Sequence, residues 1–218
     1  MSQGSNAATF FNRFAETFDT IYDQKRNFFM RWVDCTFRSD MFIRYALTFE
    51  ALGPLRGRTV LDIGCGSGPY IIEAFKRGAD RVTGLDPAPN MLALVRQRLA
   101  QSRIPGDRCE LVEGTFPGVL VEPHDFAIVM GVMDYVEDAQ TFLSALRPLV
   151  NRLAVISFPS QHWYRTPFRK LRYRLRQCPV YFYDDTGIRR LCEAAGFTDT
   201  RIHKIPGAGM DFHVCLRP

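Results

Sequence analysis

The chain has 218 residues, 46% of them hydrophobic and 23% charged, with a net charge of +5; this suits one well-buried domain with an extension and excludes wholesale disorder. No apolar run approaches the roughly 20 residues that span a bilayer, and the opening MSQGSNAATFFNRF has neither the basic start nor the apolar stretch of a secretory leader. The six cysteines (Cys35, Cys65, Cys109, Cys178, Cys192, Cys215) form no CxxC pair and no zinc-ligand spacing, so reduced thiols, a cytoplasmic protein and no bound metal are expected.

The first fifty residues read as helices. Phe11, Phe14, Phe18 and Tyr22 recur at spacings of three and four, and Trp32, Thr36, Phe42, Tyr45 and Phe49 follow more loosely. GPLRG, Gly53 to Gly57, breaks the pattern, so residues 1–57 read as a helical extension or lid and 58–218 as the core. There the period changes. TVLDIG, RVTGLD, CELVEG, DFAIVMG and RLAVISF read as strands; GPYIIEAFKRG, PNMLALVRQRLAQS and AQTFLSALRPLV read as helices between them. Strand–helix alternation predicts an α/β fold with a doubly wound, mostly parallel sheet and helices on both faces. After a basic insert at about 159–182, TGIRRLCEAAGF is a helix stopped by Gly196. TDTRIHKI and DFHVCLRP, joined by PGAG, read as a closing antiparallel pair and bring the count to seven strands.

The insert holds the positive charge. WYRTPFRKLRYRLR, Trp163 to Arg176, has five arginines, one lysine and no acid; without those six charges the chain carries 22 basic and 23 acidic residues, a net of −1. Arg165, Arg169, Arg172 and Arg176 make one helical stripe beside Phe168, Leu171 and Leu175. Such a stripe gathers an anionic substrate, lies on an anionic membrane face, or is a solvated face.

The stretch VLDIGCGSG, Val60 to Gly68, is the point of highest information. Gly64, Gly66 and Gly68 alternate at a strand-to-helix turn, where glycine lets backbone approach a ligand. A dinucleotide loop wants G-x-G-x-x-G, but Pro69 occupies the last of those positions. Asp86 ends the second strand twenty-two positions beyond Gly64 and can accept both hydroxyls of an adenosine ribose. Asp62, just before the turn, would repel a pyrophosphate and attract a sulfonium or ammonium group.

VLDIGCGSG, GLDPAPNML and DFAIVMGVMDYVEDAQTFLSALRPLV together resemble the successive motifs of class I S-adenosylmethionine-dependent methyltransferases, closely over residues 58–158 and more loosely beyond. The resemblance implies a Rossmann-like fold and S-adenosylmethionine as methyl donor, with S-adenosylhomocysteine (SAH) as product. It places Asp62, Gly64, Cys65 and Gly66 along the methionine moiety, Asp86 and Pro87 at the ribose, and Met91 over the adenine. Gly114, Thr115 and Phe116 fall where the family meets the adenine edge, although the usual Gly-Asp order is absent there. Met130 and Gly131 fall near the transferred methyl, and Tyr22 matches a lid tyrosine. Alternatively Met91 is core, Phe116 anchors a loop, Tyr22 packs between helices and Cys65 fills space.

Methyl transfer needs alignment first, and a general base only for a protonated acceptor. Asp134, Tyr135 and His162 are the polar groups expected near the acceptor; alternatively Asp134 caps the helix beginning near Glu137, Tyr135 packs under the lid and His162 is a loop residue. The Asn-Pro-Pro-Tyr signature of nucleic-acid and protein amino-methylation is absent. The expected activity is therefore methylation of a small molecule with an apolar body, anionic if Arg165, Arg169 and Arg172 contact it. An RNA methyltransferase using Arg165 to Arg176, and a donor-binding subunit without catalysis, are the competing readings.

Overall fold

The computed structural model describes residues 41–160, 181–205 and 211–218. A helix, α1, occupies residues 41–52, and after a short turn the sheet and its helices follow in regular alternation from Thr59. The elements are β1 (Thr59–Ile63), α2 (Pro69–Lys76), β2 (Arg81–Asp86), α3 (Pro89–Gln101), β3 (Cys109–Glu113), β4 (His124–Val129), α4 (Ala139–Leu146), β5 (Val150–Phe158), α5 (Asp185–Ala194), β6 (Asp199–Lys204) and β7 (Phe212–Arg217). They form one seven-stranded sheet in the order β3-β2-β1-β4-β5-β7-β6. Strands β1 to β5 pair in parallel, and β7 runs antiparallel to both β5 and β6. The expected doubly wound sheet with an antiparallel last strand is the one observed.

Alternate residues of the strands feed two cores. Leu61, Ile63, Val129, Ile156 and Phe158 face α4 and α5, where they meet Phe142, Leu143, Leu146 and Ile188. Val60, Val82, Ile128 and Val155 face the other way, toward Phe49 of α1, Ile71 of α2 and Val95 of α3. Each fully buried aliphatic or aromatic side chain stabilises the fold by about 1.5–3 kcal/mol. With both sheet faces covered, the central strands read as continuous apolar runs rather than alternating ones.

Helix boundaries follow local chemistry. Pro69 and Pro89 each open a helix in its first turn, where no N–H partner is needed. The cap of α4 is Asp138, whose side chain accepts from the Thr141 N–H at 2.9 Å; the helix starts at Ala139, so Asp134 does not cap it. Asp184 caps α5 through the Gly187 N–H, and Gly196, at φ +86°, follows its end.

Helix α1 belongs to the second core rather than lying apart from it. Phe49 packs edge-on against Tyr45 with ring centroids 5.1 Å apart and stacks on Tyr70 of α2 at 5.9 Å. The Arg77 guanidinium covers the Phe49 ring at 4.7 Å and donates to the Phe49 carbonyl. The chain winds outward from β1 through β2 to β3, then crosses back to β4 beside β1 and winds the other way. The carboxyl ends of β1 and β4 therefore lie at the switch point, where loops leave in opposite directions and a crevice opens.

Candidate functional site

The loop after β1 is tied to β2 before any ligand enters. The N–H groups of Gly64 and Cys65 both donate to the Leu85 carbonyl, at 2.7 and 3.0 Å. One oxygen of Asp86 accepts from the Gly66 N–H at 2.8 Å, and the other from the Ala88 N–H at 2.9 Å. A single carboxylate thus clamps the loops that follow β1 and β2. Burial raises the Asp86 pKa, while the two backbone N–H groups act against that rise. Each clamped oxygen keeps a lone pair for a further donor, as a ribose hydroxyl supplies.

Asp62 is in the opposite condition. It is 1% exposed, on the strand face shared with Val60, and its Oδ2 has no hydrogen-bond partner. Burial, and then the charge of Asp86, push its pKa up to about 8. A buried carboxylate oxygen without a donor is costly, and an ammonium or sulfonium brought alongside would relieve it. A pyrophosphate there would bring no donor to this oxygen and would repel the ionised carboxylate. The Asp62 environment therefore fits the methionine end of a sulfonium cofactor and not a dinucleotide.

The glycines divide by what surrounds them. A Cβ on Gly64 would lie 2.4 Å from Val132 Cγ2, so this glycine lets the loops after β1 and β4 touch. At Gly66, φ +53°, a Cβ would meet nothing within 4 Å, and the same holds at Gly131 after β4. Both bare positions border open space, that of Gly66 directly beside the Asp86 carboxylate.

Other predicted donor residues take varied places. Pro87 is half-buried directly after Asp86, and Met91 is buried with Ala88 and Leu94 in a small cluster apart from both main cores. The Gly114 N–H donates to the Asp86 carbonyl at 3.2 Å, and Thr115 is exposed. Phe116 packs edge-on against Phe142 at 4.9 Å, anchoring its loop to the first core. Cys65 is buried and burial raises its thiol pKa, so it is an inert thiol. Met130 is half-buried, with the Thr48 hydroxyl 3.9 Å from its sulfur. Among the described residues no three His, Cys, Asp or Glu side chains gather as a metal site.

On the acceptor side, Asp134 is 5% exposed and Tyr135 half-buried in a turn closed by the Tyr135 N–H to the Val132 carbonyl, 2.9 Å. The segment around residues 181–183, at the end of the basic insert, stitches this turn down. Tyr181 N–H donates to the Asp134 carbonyl at 3.0 Å, and the Tyr183 hydroxyl lies 3.4 Å from the carbonyls of Met133 and Val136. Burial and the Asp134 charge push the Tyr183 phenol up to about 12. Tyr22, His162, Arg165, Arg169 and Arg172 lie outside the described residues.

One polar group escaped the sequence reading. Arg44 of α1 reaches Ser157 of β5 and Asp211, and Thr48, one turn on, lies 3.4 Å from the His213 ring. The only sequence signal is a polar residue at an inward position of an apolar strand, Ser157 in RLAVISF and His213 in DFHVCLRP.

A family described as methyltransferase domain matches residues 37–202. The ubiquinone biosynthesis O-methyltransferase of Rhodopseudomonas palustris (strain HaA2) is 32% identical over 117 residues, 52% of this chain and 45% of that protein. The tRNA U34 carboxymethyltransferase of Hahella chejuensis (strain KCTC 2396) is 42% identical over 66 residues, 30% of this chain and 20% of that protein. The matched stretch thus spans less than half the length of these curated relatives. The structure of magnesium protoporphyrin IX methyltransferase from Synechocystis PCC 6803 with bound SAH superposes over 100% of both chains, with a TM-score of 0.80 and 22% identity, a likeness of fold.

Proposed function

Because the chain belongs to the methyltransferase-domain family, we propose that it transfers the methyl group of S-adenosylmethionine to an oxygen of a small-molecule acceptor with an apolar body. The observation that carries this reading is the buried, unpartnered Asp62 oxygen beside a glycine turn that Asp86 clamps from the next strand. The donor supplies an activated methyl on a positively charged sulfur, so the chain's task is alignment and exclusion of water.

In this reading Asp62 holds the donor's ammonium and Asp86 its ribose hydroxyls. Gly64, Cys65 and Gly66 present backbone to the methionine moiety, and Pro87 and Met91 flank the adenosine. Gly114, Thr115 and Phe116 border the adenine edge, and Met130 and Gly131 border the methyl. Asp134 takes the proton of a hydroxylated acceptor, with Tyr135 beside it; Tyr22 closes over the donor as a lid, and His162, Arg165, Arg169 and Arg172 complete the acceptor side. The free cysteines (Cys65, Cys109, Cys192, Cys215) suit a cytoplasmic protein. The ubiquinone biosynthesis O-methyltransferase matches over 117 residues, whereas a ribosomal RNA small subunit methyltransferase and a tRNA U34 carboxymethyltransferase match over 75 and 66. We therefore rank a small acceptor above RNA.

Calorimetric titration with SAH and, separately, NADH tests the donor. Micromolar binding of SAH alone, about −8 kcal/mol, is expected. NADH binding alone would overturn the proposal. SAH release from S-adenosylmethionine with a catechol or carboxylic-acid acceptor then separates an enzyme from a non-catalytic subunit.

A further inference from the structure

The peptide of Gly131 leaves β4 just beyond the last β4–β5 pair, Val129 with Ile156, so its N–H has no ladder partner. The Ser157 side chain takes it instead, at 2.8 Å. Ser157 is 1% exposed, and Arg44 Nη1 donates to the same hydroxyl oxygen at 3.4 Å while pairing with Asp211 at 3.5 Å. Ser157 also lies opposite His213 on β7, whose ring burial keeps neutral. The hydroxyl therefore joins the lip of the crevice to α1 through one buried oxygen.

We infer that Ser157 is a positioning residue for methyl transfer: it holds the Gly131 peptide so that the bare Cα faces the donor, with Arg44 steadying the hydroxyl. This rests on the reading of Gly131 as a donor contact. At φ +73° nothing lies within 4 Å of a Cβ on Gly131, so the space beside it is free for a ligand. Without Ser157 the freed N–H would turn to find another acceptor, and the lip would turn with it. The coupling also explains why a serine stands in a strand whose neighbours are Ile156 and Phe158, both fully buried.

The test uses the full chain labelled with 15N-glycine, comparing wild type with Ser157→Ala, Ser157→Cys and Ser157→Thr. Cysteine keeps the volume with a weaker acceptor and covers the case in which alanine does not fold; threonine keeps the hydroxyl. Amide exchange at Gly131 is read against Gly84, in the middle of the buried β2, and SAH affinity is measured by calorimetry. Expected for Ala and Cys are exchange at Gly131 accelerated at least tenfold more than at Gly84, and SAH bound at least fivefold more weakly. Threonine should restore both. Equal acceleration at the two glycines would mean that Ser157 only stabilises the sheet, and would overturn the inference. Faster exchange at Gly131 with unchanged SAH affinity would overturn it as well. Failure of the wild-type protein to bind SAH would instead refute the donor reading.

Discussion

Asp62 ties donor binding to pH in a way that can be worked out from its surroundings. In the donor-free protein its carboxyl titrates at about 8, raised first by burial and then by Asp86. At pH 7 it is therefore about nine-tenths protonated, and ionising it costs about 1.4 kcal/mol, one pKa unit. An ammonium placed beside it needs the ionised form, so binding expels a proton. The ionised fraction rises about twenty-five-fold between pH 6.5 and 8.5, and SAH affinity should rise with it. Calorimetry at pH 7 in buffers of different ionisation heat should show close to one proton released per SAH bound. In Asp62→Asn the side chain keeps its shape, but the proton release and the pH slope should disappear, leaving weaker binding. The sign for stability is the converse: an unfolded Asp ionises near 3.9 and the folded one near 8, so donor-free stability falls as pH rises across that window. A pH-independent SAH affinity in the wild type, with no buffer dependence of the heat, would refute Asp62 as the ammonium partner.

Asp86→Ala should weaken SAH binding at least tenfold, about 1.4 kcal/mol, because it frees the Gly66 and Ala88 N–H groups and removes the ribose acceptor; unchanged affinity in calorimetry would exclude that role. Gly66→Ala and Gly64→Ala should separate ligand space from packing. At Gly66 the added Cβ enters open space, so the melting temperature should fall only by the backbone term, about 1–2 kcal/mol or a few degrees, while SAH binding is lost. At Gly64 the Cβ strikes Val132, adding about 1–3 kcal/mol of overpacking, and Val132→Ala should recover part of it in a thermal melt. His213 is held neutral, its pKa lowered to about 4 by burial, then by His203 and Arg44. The unfolded chain takes up that proton near 6.5, so stability is full above 6.5 and falls by about 3 kcal/mol as pH drops toward 4. Urea melts should show this slope flattened in His213→Asn.

The order of strands and helices was legible because each depends on short-range periodicity. VLDIGCGSG announced a strand, a glycine turn and a helix within nine residues, and Asp86 was found by counting along the chain. The helix AQTFLSALRPLV does start at Ala139, but the alternative that Asp134 caps it fails, because backbone geometry gives the cap to Asp138. Phe116 likewise read as a donor contact or a loop anchor, and the position of Phe142 decides how its ring packs.

What the sequence determined by itself is the class of fold and the glycine turn with its two aspartates, since these rest on residue spacing and on conformations that few residues adopt. What only the tertiary structure decided are partnerships between distant residues. The orphaned oxygen of Asp62 depends on what surrounds it after folding. The contact of Gly64 with Val132 depends on β1 lying beside β4. The link from Arg44 through Ser157 to Gly131 joins residues 113 and 26 positions apart. It exists because β5 lies between β4 and β7 while α1 crosses their common face. Strand order and register create such neighbours, and neither is written in any local stretch of the chain.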